Sequence, residues 1–114
     1  MKSLAHYSKK MIEYQEQPHE LSALLLVMSA DYGQAMQERI EMETKRAEFW
    51  IENKHIEDEK PVSDKTLEQL FLMEASGTGK KLNNCHLYLK GLEKLMSSIK
   101  THLRTLEIEV RNLV

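Results

Sequence analysis

The sequence predicts an all-α fold, a long antiparallel helical hairpin or bundle whose C-terminal helix is coiled-coil-like. Three observations carry this reading. The first is a heptad stripe in the last third of the chain. Leu82, Cys85, Leu89, Leu92, Met96, Ile99, Leu103, Leu106, Val110 and Leu113 follow one another at alternating three- and four-residue steps without a polar interruption. The second is another extended helical period beginning at Pro18. The third is composition: 30% of the 114 residues are charged and 6% aromatic, with four glycines, which favours helices over a turn-rich β fold. A single helical domain over residues 1–114 is the expected organisation.

Leu4, Tyr7, Met11 and Ile12 follow a helical period with Lys9 and Lys10 opposite, so a first helix is expected over about residues 3–16. Pro18 disfavours helix at Gln17 but suits the first turn of a new one, where Glu20 meets the positive end of the helix dipole. From there Leu21, Leu24, Leu25, Met28, Tyr32, Ala35, Met36 and Ile40 form one apolar face, and Ala47, Trp50 and Ile51 resume it. The run Leu24-Leu25-Leu26-Val27-Met28 is apolar nearly all round, which predicts burial on more than one side. Gly33 costs about 1 kcal/mol against alanine, too little to break the helix. A helix over residues 18–54 would be roughly 55 Å long at 1.5 Å per residue.

Residues His55–Val62 lose the period and read as a loop. Ser63 is a good N-cap with Asp64 in the following turn, and Leu67, Leu70, Phe71 and Met73 mark a short amphipathic helix over 63–76. Ser76-Gly77-Thr78-Gly79 either breaks or kinks it, and the final helix runs over about 80–113.

Catalytic chemistry finds little footing. Gly77-Thr78-Gly79-Lys80 superficially matches a phosphate-binding loop, but Glu74 stands where the first glycine belongs and Lys81 where the hydroxyl residue that holds magnesium belongs. The five histidines, His6, His19, His55, His86 and His102, lack paired ligand spacing. Cys85 and His86 are neighbours whose side chains leave the helix in different directions, and Cys85 falls on the apolar stripe, where burial suppresses the thiolate. A non-enzyme with no cofactor and no metal is expected. No apolar run approaches the length of a membrane span, the N-terminus lacks the hydrophobic region of a signal peptide, and the single cysteine suits a reducing compartment. These features predict a cytoplasmic protein.

The net charge of −2 conceals a segregation. Residues 21–59 hold nine acidic and four basic side chains, whereas residues 80–114 hold seven basic and three acidic ones. On the last helix Lys90, Lys94, Ser97, Thr101, Arg104 and Arg111 fall at helical steps on one face, away from the stripe, and Lys80, Lys81, Asn83 and Asn84 extend it toward the helix start. Cations spaced by small hydroxyl residues approach phosphates closely and bond to them. With Tyr88 the only aromatic residue nearby, sequence-tolerant binding to a nucleic-acid backbone is expected rather than base readout.

The stripe itself predicts assembly through Leu82, Leu89, Leu92, Met96, Ile99, Leu103, Leu106, Val110 and Leu113. Tyr88 and Leu95 widen it at g positions, while Leu87 and Ile108 point outward at f positions. Leucine predominates at a, and charge pairing between g and e′ positions is poor, so a bundle or higher homo-oligomer fits better than a parallel two-stranded zipper.

The order of these features resembles that of the small helical phage recombination-mediator proteins of the UvsY type. The resembling stretch covers roughly residues 39–109. It includes Arg39-Ile40-Glu41 through Lys45-Arg46-Ala47, then Ser63-Asp64-Lys65 and Ala75-Ser76-Gly77-Thr78-Gly79-Lys80. It closes with Leu92-Glu93-Lys94-Leu95-Met96-Ser97-Ser98-Ile99-Lys100 and Leu103-Arg104-Thr105-Leu106-Glu107. The resemblance implies a helical oligomer that binds single-stranded DNA and helps load a recombinase onto strands coated by a single-strand-binding protein. It also implies a DNA-binding role for the cluster matched here by Lys45 and Arg46. Those two stand among Glu38, Glu41, Glu43, Glu48 and Glu52, which favours the final-helix face as the binding surface.

Two other readings stay open at this point. One is a protein-only inhibitor or adaptor, such as an anti-host factor, that presents the acidic helix to a basic partner. The other is a purely structural assembly subunit.

Overall fold

The computed structural model describes residues 1–54, 62–74 and 77–113, with the side chains of Val110 and Leu113 set aside. The fold is all-α. Four helices follow one another as α1 (Leu4–Glu13), α2 (Pro18–Asn53), α3 (Asp64–Leu72) and α4 (Thr78–Leu113), and there is no strand among the described residues.

The helix ends follow local chemistry. The Ser3 hydroxyl caps α1 by accepting the His6 amide at 3.1 Å, and the Ser63 hydroxyl caps α3 by accepting the Thr66 amide at 3.2 Å. Helix α1 ends earlier than the expected 16, because Tyr14 has left helical geometry and residues 14–17 turn the chain before Pro18 opens α2. The Gly-rich stretch breaks the helix rather than kinking it. Helix α3 stops at Leu72, the Met73 amide folds back onto the Gln69 and Leu70 carbonyls, and Gly77 reverses the chain at φ 71°. Because Gly77 takes the reversal, Thr78 and Gly79 already belong to α4. Ser76 and most of the loop expected at His55–Val62 lie outside the described residues; the Val62 amide donates to the Lys54 carbonyl at 2.9 Å.

The chain divides into two compact units. The first comprises Met1–Ala35 and Tyr88–Val114. Its core joins Tyr7 of α1, Leu21, Leu24 and Met28 of α2, and Leu92 and Ile99 of α4. Within this unit α2 and α4 run antiparallel: Leu21 lines a cavity with Ile99 and His102, whereas Tyr32 bonds Glu93 at 2.7 Å. Helix α1 lies on both, with Leu4 over Gly91 of α4, where a Cβ would strike the leucine side chain. The Tyr7 hydroxyl donates to the Asp31 carboxylate, and the Tyr88 hydroxyl donates to the Lys2 carbonyl at 2.5 Å.

The run Leu24–Met28 departs from expectation. Leu24 and Met28 are buried and Leu25 half-buried, but Leu26 is 74% exposed and Val27 50%. Helices α1 and α4 cover one side of α2 here, and among the described residues nothing covers the other.

The second unit comprises Met36–Leu87. Leu67 and Phe71 of α3 and Leu82 and Cys85 of α4 are buried in it. Phe71 meets Phe49 and Trp50 of α2 with ring centroids 5.3 and 6.0 Å apart. In this part of α2 the inward side passes through Arg39, Met42, Arg46 and Phe49, all half-buried, so Ile40, Ala47 and Ile51 of the expected face are exposed. The step from Met36 to Ile40 carries the face round the helix and out of register with the packing. Burial pushes the Cys85 thiol above its ordinary range, and the carboxylates of Glu38 and Glu43 add to this. Gly79 packs where a Cβ would lie 2.8 Å from the Phe71 carbonyl oxygen, so α3 and α4 approach backbone to backbone.

Candidate nucleic-acid interface

The buried residues Leu89, Leu92 and Ile99 fix the rotation of α4 in the first unit, and that rotation leaves Lys90, Lys94, Ser97, Thr101 and Arg104 exposed. Residues three and four apart on a helix share a face, which turns this spacing into a contiguous polar strip. Part of it is concave. Lys94, Ser97, Ser98, Thr101, His102 and Thr105 line an open depression of about 630 Å³. The Lys94 ammonium and the hydroxyls of Ser97, Ser98 and Thr101 therefore face one space of mixed polar and apolar lining, and these donors suit phosphate oxygens.

Two of its members are held in place by neighbours. The His102 Nε2 pairs with the Gln15 backbone carbonyl, 87 residues away in sequence, tying α4 to the turn between α1 and α2. The Thr105 hydroxyl donates to the Thr101 carbonyl at 3.1 Å, as threonines on helices commonly do.

The remaining expected residues divide by position. Arg111 bonds Glu107 at 2.7 Å, one turn before it on the same helix, which offsets its charge. Lys80 and Lys81 are exposed in the first turns of α4, in the second unit, where Lys45 of α2 is also exposed and Arg46 is half-buried. The Arg46 guanidinium stacks on Trp50 with its carbon 4.3 Å from the ring centroid. Lys45 lines a cavity of about 260 Å³ together with Glu48, Glu52 and Glu74. A guanidinium engaged with a ring and an ammonium among three carboxylates make a poor cradle for an anion.

Of the expected assembly residues, the described ones pack inside the single chain. Leu82, Leu89, Leu92 and Ile99 are buried in it, Met96, Leu103 and Leu106 are half-buried against the first unit's core, and the side chains of Val110 and Leu113 lie outside the described residues. Leu87 and Ile108 are exposed, 66% and 51%, in keeping with their f positions.

Sequence reasoning passed over Thr105 and His102 as site residues. Thr105 continues the four-residue step from Thr101 and was visible in the spacing. The role of His102 depends on Gln15, and nothing in a local window brings the two together. Tyr88, the nearby aromatic residue, is half-buried with its hydroxyl committed to Lys2; burial first, then the negative charge of Asp31, raises its phenol above the ordinary range.

Among the described residues no helix is long and apolar enough to cross a membrane, and no three His, Cys, Asp or Glu side chains gather to hold a metal ion. Comparison with protein-family models, with curated proteins and with solved structures gives no match to this chain.

Proposed function

We propose that this chain is a non-enzymatic accessory protein of phage-type DNA recombination or replication that binds the backbone of single-stranded nucleic acid through the polar face of α4. The observation that carries the reading is the depression in which Lys94 stands among the hydroxyls of Ser97, Ser98, Thr101 and Thr105. Lys90 and Arg104 extend its charge along the same face. The likeness of residues 39–109 to recombination mediators supports single-stranded DNA as the ligand. A recombinase or a single-strand-binding protein would then be the natural protein partner.

A fluorescence-anisotropy titration with a single-stranded oligonucleotide tests this. Three cations, Lys90, Lys94 and Arg104, give an expected slope of log affinity against log salt of about −2, at roughly 0.7 per phosphate neutralised. Absence of binding at low salt, or affinity indifferent to salt, overturns the reading.

Self-association belongs to the same reading. A second copy would meet what internal packing leaves uncovered in the first unit, chiefly Leu26 and Val27, together with the half-buried Leu103 and Leu106. Light-scattering mass with and without the oligonucleotide checks it. The protein-only adaptor reading draws its support from the second unit, where Glu48, Glu52 and Glu74 line one cavity and offer carboxylates to a basic partner. Recovery of a partner from nuclease-treated lysate by the wild type, lost in Glu48→Gln/Glu52→Gln, would favour it.

A further inference from the structure

Two depressions meet on the first unit. The one that holds Lys94, described above, shares Ser98 and His102 with a second, mainly apolar cavity of about 250 Å³. The second cavity is floored by Leu21 and Ile99, both almost wholly buried, with half-buried Met11 beside them and Ile12, 73% exposed, at its mouth. The bond between His102 and the Gln15 carbonyl pins the turn after α1 onto α4 where the two depressions join. A single-stranded nucleic acid has the same duality, a charged backbone with a flat, largely apolar base on each sugar.

We propose that the apolar cavity receives one unstacked nucleobase of the strand whose phosphates lie along Lys94, Ser97 and Thr101, an inference that rests on the nucleic-acid reading above. The base faces contact the aliphatic and thioether surfaces of Ile12 and Met11, above the floor that Leu21 and Ile99 close, which any base can do. Its edge meets the Gln15 side chain and the Ser98 hydroxyl at the rim, groups that donate and accept alike and so discriminate little between bases. The size agrees: the cavity lies just under the usual range for drug-sized ligands of about 300–1,000 Å³ and suits a single ring system. An apolar side chain of a partner protein would fill the cavity but make no use of the adjoining Lys94 ammonium, which attracts an anionic strand. A strand satisfies both depressions at once.

The test compares an oligothymidylate with a fully abasic chain of the same length, which keeps every phosphate and loses every base. Both are titrated against wild-type protein and Ile12→Ser, whose exposed position leaves the fold intact. Wild type is expected to bind the abasic chain about tenfold more weakly, from the apolar surface the base covers, with an unchanged salt slope. Ile12→Ser is expected to lose most of that difference while binding the abasic chain as wild type does. Equal affinity of wild type for the two chains overturns the base cavity and leaves the backbone reading standing. So does a base preference that persists undiminished in Ile12→Ser. Binding of neither chain overturns the backbone reading and, with it, this proposal.

Discussion

The hydroxyl of Tyr7, on α1, donates a hydrogen bond to the carboxylate of Asp31, on α2, while the Tyr7 ring is wholly buried among core residues. The Lys2 amide donates to the same carboxylate oxygen at 2.9 Å. The pair thus fastens the short first helix to the long second one, Tyr7 through its buried ring and its hydroxyl and Asp31 through its carboxylate.

Tyr7→Phe keeps the ring and removes the donor. The variant is expected to be less stable by about 1–2 kcal/mol, read from urea denaturation. Its pH dependence gives a sharper check. Burial alone would raise the Asp31 carboxyl, but the Tyr7 hydroxyl, the Lys2 amide and the charge of Lys2 outweigh it and hold it below the usual range. A depressed carboxyl stabilises the fold above the ordinary carboxylate range and loses that contribution as pH falls through its folded value. Burial, then the Asp31 hydrogen bond and charge, pushes the Tyr7 phenol up. That contribution is complete below the ordinary phenol range and fades as pH rises beyond it. The stability gap between wild type and Tyr7→Phe should therefore be widest at neutral pH and close toward both extremes.

The glycines of the long helices should respond in opposite ways to the same change. Gly33 has no atom within 4 Å of a built Cβ, so Gly33→Ala is expected to stabilise by about 1 kcal/mol from helix propensity alone. At Gly79 the Cβ would lie 2.8 Å from the Phe71 carbonyl oxygen and 3.0 Å from the Leu72 Cα. Gly79→Ala should therefore destabilise, by about 1–3 kcal/mol, because backbone on both sides has to move. Thermal melts by circular dichroism separate the two signs.

Lys94→Ala should weaken oligonucleotide binding and reduce the salt slope by roughly 0.7, one phosphate's share. Lys45→Ala and Arg46→Ala should leave both nearly unchanged, since one side chain stands among carboxylates and the other on an indole. Anisotropy titrations at several salt concentrations distinguish these outcomes. A larger loss at Lys45 than at Lys94 would move the interface to the second unit.

Leu92→Ala is expected to cost about 2–5 kcal/mol, the usual range for a leucine fully enclosed in a core. Because its neighbours Tyr7, Leu21 and Met28 belong to the same chain, the loss relative to wild type should be the same at every protein concentration. A loss that shrinks as concentration rises would place Leu92 at a contact between chains instead.

The all-α class and both long helices were legible because apolar residues at three- and four-residue steps persist over many turns, from Leu21 and from Leu82. What covers each apolar face was not legible. The heptad stripe reads as a seam for other copies, yet its upper part is enclosed here by Tyr7, Leu21 and Met28 of the same chain. Periodicity describes the face a helix offers and says nothing of which helix accepts it. The same limit applies at the candidate site. Lys94, Ser97 and Thr101 were found from one helix's spacing, whereas the apolar cavity beside them needs Met11 and Ile12 from α1, Leu21 from α2 and Ile99 from α4. The partner of Arg46 was within reach, since Trp50 stands one turn ahead on the same helix.

Helix α1 occupies the stripe as a tethered resident. Leu4 sits in the notch at Gly91, Tyr7 shares a core with Leu92 and Ile99, and only residues 14–17 separate α1 from α2. So short a tether holds α1 against its groove at an effective concentration in the millimolar range. A free helix seeking the same groove at micromolar concentration competes with an occupant hundreds of times more abundant locally. Only another chain's α1, exchanged by swapping, could replace it with equal contacts.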